Sequence, residues 1–152
     1  MKIEYLCDNI EHAEQVAQWI YDEFADGIRA GLTYEKILAA VNKSCKSQMP
    51  IRLIAMVDGK CAGTIALVEN DLQCRDYTPW LAALYVDPAY RGNKIAEQLI
   101  QRIKEIAKEL GYNELYLRTE TTSEYYRKRG WQFVESCLDE FGLWPDVFKV
   151  EL

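Results

Sequence analysis

Seven apolar or aromatic residues in succession, Trp80-Leu81-Ala82-Ala83-Leu84-Tyr85-Val86, stop at Asp87-Pro88, pass through a short polar turn and enter a long amphipathic segment. The run reads as a buried strand that the proline ends. Beyond the turn, Ile95, Leu99, Ile103, Ile106 and Leu110 fall on one helical stripe, while Glu97, Gln101, Lys104, Glu105 and Lys108 point elsewhere. Gly111 then supplies a left-handed helix cap. The chain must therefore join a core strand directly to a long helix, and the remaining elements have to be arranged around that pair.

The turn carries chemistry of its own. The first backbone N–H groups of a helix have no acceptor within it, and the positive end of the helix dipole lies behind them. With Arg91 and Lys94 alongside, such a turn is a cradle for phosphate. The phosphate-loop signature ending in Gly-Lys-Ser/Thr is absent, and the dinucleotide fingerprint needs three glycines where this turn has only Gly92. Mononucleotide and nicotinamide readings fall away.

The stretch Arg91-Gly92-Asn93-Lys94-Ile95-Ala96, preceded by Leu84-Tyr85-Val86-Asp87-Pro88, resembles the acyl-CoA pyrophosphate loop of the GNAT superfamily of N-acetyltransferases, with its pattern Gln/Arg-x-x-Gly-x-Gly/Ala. Downstream, Leu115-Tyr116-Leu117-Arg118-Thr119 is placed like the fifth strand of that family. Tyr125-Tyr126-Arg127-Lys128-Arg129-Gly130-Trp131 is similar to its Phe-Tyr-x-Lys-x-Gly-Phe segment. The resemblance covers about a third of the chain. Two positions depart from the pattern: Lys94 stands where the family has its central glycine, and Thr119 where it often has asparagine.

The rest of the chain agrees. Ile3 to Leu6 reads as a first strand, and Asn9 as the cap of a helix with Ala13, Val16, Ala17, Ile20 and Phe24 inward, ended by Phe24-Ala25-Asp26-Gly27. After a connection through Gly31, Thr33 caps a second helix with Tyr34, Ile37, Leu38 and Val41 inward. Ile51 to Val57 and Cys61 to Val68 flank Asp58-Gly59, a strong hairpin signal. Glu69 to Thr78 is a charged loop, and Asp146 to Glu151 a last strand. A chain of 152 residues, 49% hydrophobic, is expected to form one domain over residues 1–152. A net charge of −6 argues against nucleic acid as a partner. Five scattered cysteines lack zinc-site spacing, so no metal is expected and the thiols read as reduced. With no apolar run of signal or membrane-spanning length, a cytoplasmic protein without a membrane partner is expected.

The resemblance to GNAT proteins implies an α/β fold with a mixed, mostly antiparallel central sheet, helices on both faces, and the order β-α-α-β-β-β-α-β-α-β. It implies acetyl-CoA as co-substrate and a primary amine, on a small molecule or a peptide N-terminus, as acceptor. The protein would be a monomer or a homodimer. Strands four and five would splay and admit the pantetheine arm, which pairs with the backbone of Leu84, Tyr85 and Val86. The amides of Asn93, Lys94, Ile95 and Ala96, with Arg91 and Gly92, would hold the pyrophosphate, and Thr119, Ser123 and Tyr126 would complete the cofactor site. Direct attack by the amine needs no protein nucleophile. The N–H of Val86 is the candidate oxyanion donor and Tyr126 the candidate proton donor to the leaving thiolate. The base is left open between water held by backbone carbonyls, Glu69 and Asp71.

Each of these residues has a structural alternative. Arg91 reads as a phosphate ligand before a surface charge, and Tyr126 as a proton donor before a core aromatic. Tyr125, Trp80, Trp131 and Trp144 read as packing residues, with Trp80 beside Pro79 a possible lining of the acceptor pocket. His12, the single histidine, reads as a solvated surface residue. Acidic groups in two segments, Asp22, Glu23 and Asp26 and then Glu69, Asp71 and Asp76, favour a cationic amine if they face one cleft. A non-catalytic module that binds acyl-CoA or mediates protein contacts is the alternative to an enzyme.

Overall fold

The computed structural model describes residues 1–25 and 31–152. Strand β1 (Lys2–Tyr5) leads through two short 3-10 turns into α1 (Ala13–Ile20), which widens into a π-type turn over Tyr21–Ala25. Asn9 does not cap this helix; its amide donates to the carbonyl of Tyr5 at 3.0 Å, because the 3-10 turns intervene. Asp26 and Gly27 lie outside the described residues. Helix α2 (Tyr34–Asn42) is capped as expected, with Thr33 Oγ1 accepting from the N–H of Lys36 at 3.2 Å.

Strands β2 (Ile51–Val57) and β3 (Lys60–Val68) form an antiparallel hairpin. Asp58 and Gly59 take φ of 49° and 77°, the left-handed pair that a two-residue hairpin turn requires. Then follow β4 (Trp80–Val86), α3 (Ile95–Glu109), β5 (Glu114–Thr119), α4 (Ser123–Arg127), β6 (Gln132–Ser136) and β7 (Asp146–Glu151). β6 is a strand beyond the expected order. It pairs antiparallel with β7 at the end of the sheet, where Gln132, Phe133 and Ser136 keep the exposure of an edge.

The seven strands lie in the order β1-β2-β3-β4-β5-β7-β6, mixed in direction, with β4 and β5 the parallel neighbours. Strand alternation divides the core between two faces. Leu53, Ile65, Leu67 and Leu81 pack under Ile95, Leu99, Ile103 and Ile106 of α3. Ile54 packs on the other face with Val16, Ile20, Ile37 and Val41 of α1 and α2. A third cluster on β4 and β7 joins Trp80, Leu72, Cys137 and Val147. The α3 stripe is buried as read from its spacing except at Leu110, 39% exposed in the last turn, where Ile100 and Ala107 broaden the buried face instead. Trp144, read as a packing residue, is 66% exposed on the connection into β7.

β4 carries the decisive irregularity. Between Thr64↔Tyr85 and Ala66↔Ala82 it holds one residue more than β3 opposite, a β-bulge. Ala83, within the bulge, has φ of 51°, a conformation that costs a residue with a Cβ about 1–2 kcal/mol. The parallel pairing of β4 with β5 is confined to Trp80↔Tyr116, with Tyr116 N–H donating to Pro79 O at 3.0 Å. Past that point the two strands separate.

Candidate active site

The turn after β4 is built from its own side chains. Asp87 Oδ1 accepts from Ala89 N–H at 2.9 Å, and Pro88 opens a single 3-10 turn, Pro88–Tyr90. Arg91 folds back, its Nε donating to Val86 O at 2.9 Å and its guanidinium 5.6 Å from the Tyr85 ring. Asn93 Nδ2 donates to Tyr90 O at 3.0 Å. Lys94 then takes φ of 60°, which explains a glycine there in related loops, and Ile95 starts α3. The first i→i−4 bond of α3 runs from Gln98 to Lys94 at 3.2 Å. The amides of Ile95, Ala96 and Glu97 precede it, and no side chain caps them. They face outward with the helix dipole behind them.

These amides open onto a cavity of about 410 Å³. Leu84, Tyr85 and Val86 form one wall, from the part of β4 that has left β5, so the backbone groups turned to that side have no strand partner there, the Val86 carbonyl being taken by Arg91. Arg91, Gly92, Lys94, Ile95 and Ala96 line the end of the cavity at the start of α3. Of the expected cofactor residues, Asn93, Thr119, Ser123 and Tyr126 are not part of the lining. Asn93 braces the turn, and the hydroxyl of Thr119 is engaged with Thr122 Oγ1 at 2.6 Å and the N–H groups of Thr121 and Thr122. Ser123 donates to Asp146 at 2.6 Å.

The opposite wall was not anticipated. Tyr90, Glu97, Tyr125 and Arg129 also line the cavity. Arg129 sits 3.6 Å from the centre of the Tyr125 ring and pairs with Glu97 of α3 at 3.0 Å, closing the far side. Tyr125, read from sequence as core, faces the cavity. Tyr126 is 8% exposed, with its ring 5.8 Å from Trp131 and 6.4 Å from Phe148. Burial pushes the Tyr126 hydroxyl up to about 12, and burial raises Tyr125 as well. The adjacency of two tyrosines was visible in sequence, but which ring a short helix turns inward was not.

Glu69 is exposed, and neither it nor Asp71 lines the cavity. The backbone carbonyl of Asp71 accepts from Arg118 Nη1 at 3.2 Å. His12 is half-buried beside Glu11 and away from the cavity. Trp80 is fully buried, its Nε1 donating to Tyr77 O at 2.5 Å. Asp22 accepts from Gln18 on the exposed side of α1, and Asp26 lies outside the described residues.

The same sheet face that carries α1 and α2 holds further charges. Arg118 pairs with Asp139 at 2.8 Å, both side chains withdrawn from solvent, and with Glu120 at 3.6 Å. Burial works against the Asp139 carboxylate, but the amides of Leu143 and Phe141 and the charge of Arg118 hold its pKa below the usual value. Arg75 and Tyr77 both donate to Glu135, which brings that carboxyl down to about 2. No group of three or more metal-binding side chains occurs among the described residues. No described helix is long and apolar enough to cross a membrane.

The chain belongs to the acetyltransferase (GNAT) family, whose model matches residues 13–131. An amino-acid acetyltransferase of Pseudomonas aeruginosa is 40% identical over 52 residues, which are 34% of this chain and 12% of that protein. The corresponding protein of Edwardsiella ictaluri is 36% identical over 55 residues, again 12% of its length. The matched stretch is thus a small part of these relatives. Among solved structures, an aminoglycoside 6'-N-acetyltransferase complexed with coenzyme A superposes with TM-score 0.75 at 15% identity, covering 99% of this chain and 97% of that one. N-acetylglutamate synthase from Neisseria gonorrhoeae, complexed with coenzyme A and N-acetyl-glutamate, gives 0.67 at 17% identity over 100% of this chain and 35% of the other. A GNAT acetyltransferase from Streptococcus pneumoniae gives 0.70 at 20% identity, over 99% and 98%. These likenesses establish the fold.

Proposed function

We propose that the protein is an N-acetyltransferase that moves the acetyl group of acetyl-CoA to a primary amine by direct attack, working as one domain over residues 1–152. The observation that carries this is the meeting of two unsatisfied backbone arrays in one cavity: the uncapped start of α3 and the free edge of β4. The first suits a pyrophosphate and the second an amide-bearing arm laid alongside as a strand. Arg91 and Lys94 add positive charge at the phosphate end.

The amine nitrogen attacks the thioester carbonyl carbon, the oxygen takes up negative charge opposite the N–H of Val86, and the C–S bond breaks as the tetrahedral intermediate collapses. The ammonium proton passes to water held by backbone carbonyls, since Glu69 and Asp71 stand off the cavity. A tyrosine returns a proton to the thiolate. By its place in the motif that tyrosine is Tyr126; by its place on the cavity wall Tyr125 is the competing donor. Both hydroxyls stay protonated through neutral pH, as a donor must.

Thiol release from acetyl-CoA, measured against a panel of amines, tests the reading. The curated relatives are amino-acid acetyltransferases, which puts amino acids in that panel beside polyamines, aminoglycosides and peptides with free N-termini. Binding of CoA at this cavity with no turnover of any amine would leave the acyl-CoA-binding module as the function.

A further inference from the structure

All five cysteines are free thiols, and two of them meet. Cys45 Sγ donates to Lys43 O at 3.6 Å and Cys61 Sγ to Gly63 O at 3.9 Å, contacts within their own segments. Cys74 differs: its Sγ donates to Leu138 O, 64 positions away, at 3.6 Å. The thiol of Cys137, the residue before Leu138, is hydrogen-bonded to that of Cys74. A disulfide spans Cβ atoms about 4 Å apart, and thiols in contact bring two Cβ atoms near that separation.

Both segments are held without help from the sulfurs. On the Cys74 side, Leu72 is fully buried with Trp80 and Val147, and Arg75 donates twice to Glu135 of β6, at 2.9 and 2.7 Å. On the Cys137 side, the Cys137 N–H donates to Pro145 O at 3.3 Å and the Asp139 N–H to Leu143 O at 2.8 Å. The fold therefore imposes the contact between the thiols. Their exposure is unequal: Cys74 is exposed, and Cys137 is only 6% exposed. A dissolved oxidant meets Cys74 first, which leaves Cys137 as the resolving thiol. Burial raises the pKa of Cys137, and the Arg75 guanidinium, within reach of both sulfurs, favours the thiolate that Cys137 must become.

We propose that Cys74 and Cys137 are a reversible dithiol–disulfide pair, a modification site whose oxidant is a low-molecular-weight disulfide of the glutathione disulfide class. The thiolate of Cys74 attacks one sulfur of that disulfide, and the departing glutathione takes the proton that Cys74 gave up. Cys137 Sγ then attacks Cys74 Sγ in the mixed disulfide and expels the second glutathione, which takes the proton of Cys137. Two protein thiols are oxidised and one disulfide is reduced to two thiols, so excess reduced glutathione runs the sequence backwards. The bond fastens the segment before β4 to the segment after β6, on either side of the backbone pair Trp80↔Tyr116. It is independent of the acetyltransferase reading.

The intact chain, treated with glutathione disulfide and mapped by non-reducing mass spectrometry, should yield a peptide pair linked Cys74 to Cys137. Two of the five thiols should be lost, the protein should stay monomeric on a non-reducing gel, and excess reduced glutathione should return all five. Cys137→Ala should halt the sequence at a lasting glutathione adduct on Cys74, and Cys74→Ser should leave Cys137 unmodified. Iodoacetamide labelling of the reduced wild type needs no variant: Cys74 should be alkylated at least tenfold faster than Cys137. The linked form should melt about 5 °C or more above the reduced one, since the bond closes a long loop. A lasting glutathione adduct on wild-type Cys74, linkage of Cys74 to another cysteine or to a second molecule, or a linked form that melts below the reduced one would overturn the assignment.

Discussion

Arg91 Nε donates to the carbonyl oxygen of Val86 at 2.9 Å, so a residue of the turn before α3 is also a brace between that turn and the strand before it. One side chain couples the two halves of the proposed donor site. Arg91→Glu is expected to weaken CoA binding at least tenfold, about 1.4 kcal/mol or more, through both charge and a loosened turn. Calorimetry with unchanged affinity would remove Arg91 from the site.

Lys94 holds φ of 60° at the start of α3. Lys94→Gly relieves that strain and should stabilise the protein by up to about 1 kcal/mol, while the loss of a cation reduces the salt dependence of CoA binding. Thermal unfolding and titrations at two ionic strengths measure the two effects separately. A lower Tm in the glycine variant would show that Lys94 contributes contacts worth more than the strain it carries.

Tyr125 and Tyr126 stand with ring centres 5.1 Å apart, edge to face. Replacing the proton donor with Phe should cut the acetylation rate roughly 10²-fold with CoA affinity nearly unaltered. Replacing the other should change chiefly stability or binding. Steady-state rates of Tyr125→Phe and Tyr126→Phe therefore assign the role, and equal rates to wild type in both would mean the thiolate leaves without a tyrosine.

Gly63 lies opposite Val86, and a Cβ built there would stand 2.9 Å from the backbone oxygen of Tyr85. No side-chain rotation relieves a clash with backbone, so Gly63→Ala should destabilise by about 1–3 kcal/mol. It should also weaken CoA binding, because the displaced strand is the cavity wall. Denaturant unfolding with unaltered midpoint would show that β4 shifts freely.

Glu135 has its folded pKa depressed to about 2, by Arg75 first and Tyr77 second, from an ordinary value of 4.5. The stability it contributes is present above pH 4.5 and is lost as pH falls toward 2. Glu135→Gln should therefore be less stable than wild type at pH 7, with the two converging near pH 2. Urea unfolding at pH 7, 4.5, 3 and 2 follows the difference, and a constant gap across that range would contradict the assignment.

The elements that announced themselves in sequence were those whose side-chain period matches a large buried face. The β4 run, the α3 stripe and the Asp58-Gly59 turn each have a local cause, and each is found where that cause puts it. β6 was missed because an edge strand has one partner and no fully buried face, so Gln132 to Ser136 shows little alternation. The bulge at Ala83 was silent, since nothing in Ala-Ala-Leu signals a left-handed residue. The end of the cavity at the start of α3 was legible because helix-start amides and a proline stop are local features. The wall made by Tyr125, Arg129 and Glu97 was not, because it depends on an ion pair between residues 32 apart in the chain.

The single register pair Trp80↔Tyr116 makes the sheet two plates that share a hinge line: β1 to β4 on one side, and β5, β7 and β6 on the other. Short of a bridging ligand, the plates are held by α3 and by side chains rather than by a backbone ladder. Amide exchange should therefore see two units that open with different free energies. A molecule seated along the β4 edge acts as the missing rung between them, and its departure returns the plates to separate breathing. Turnover would then be felt as a rhythm of coupling and uncoupling across the whole sheet, set by a backbone kink at one alanine.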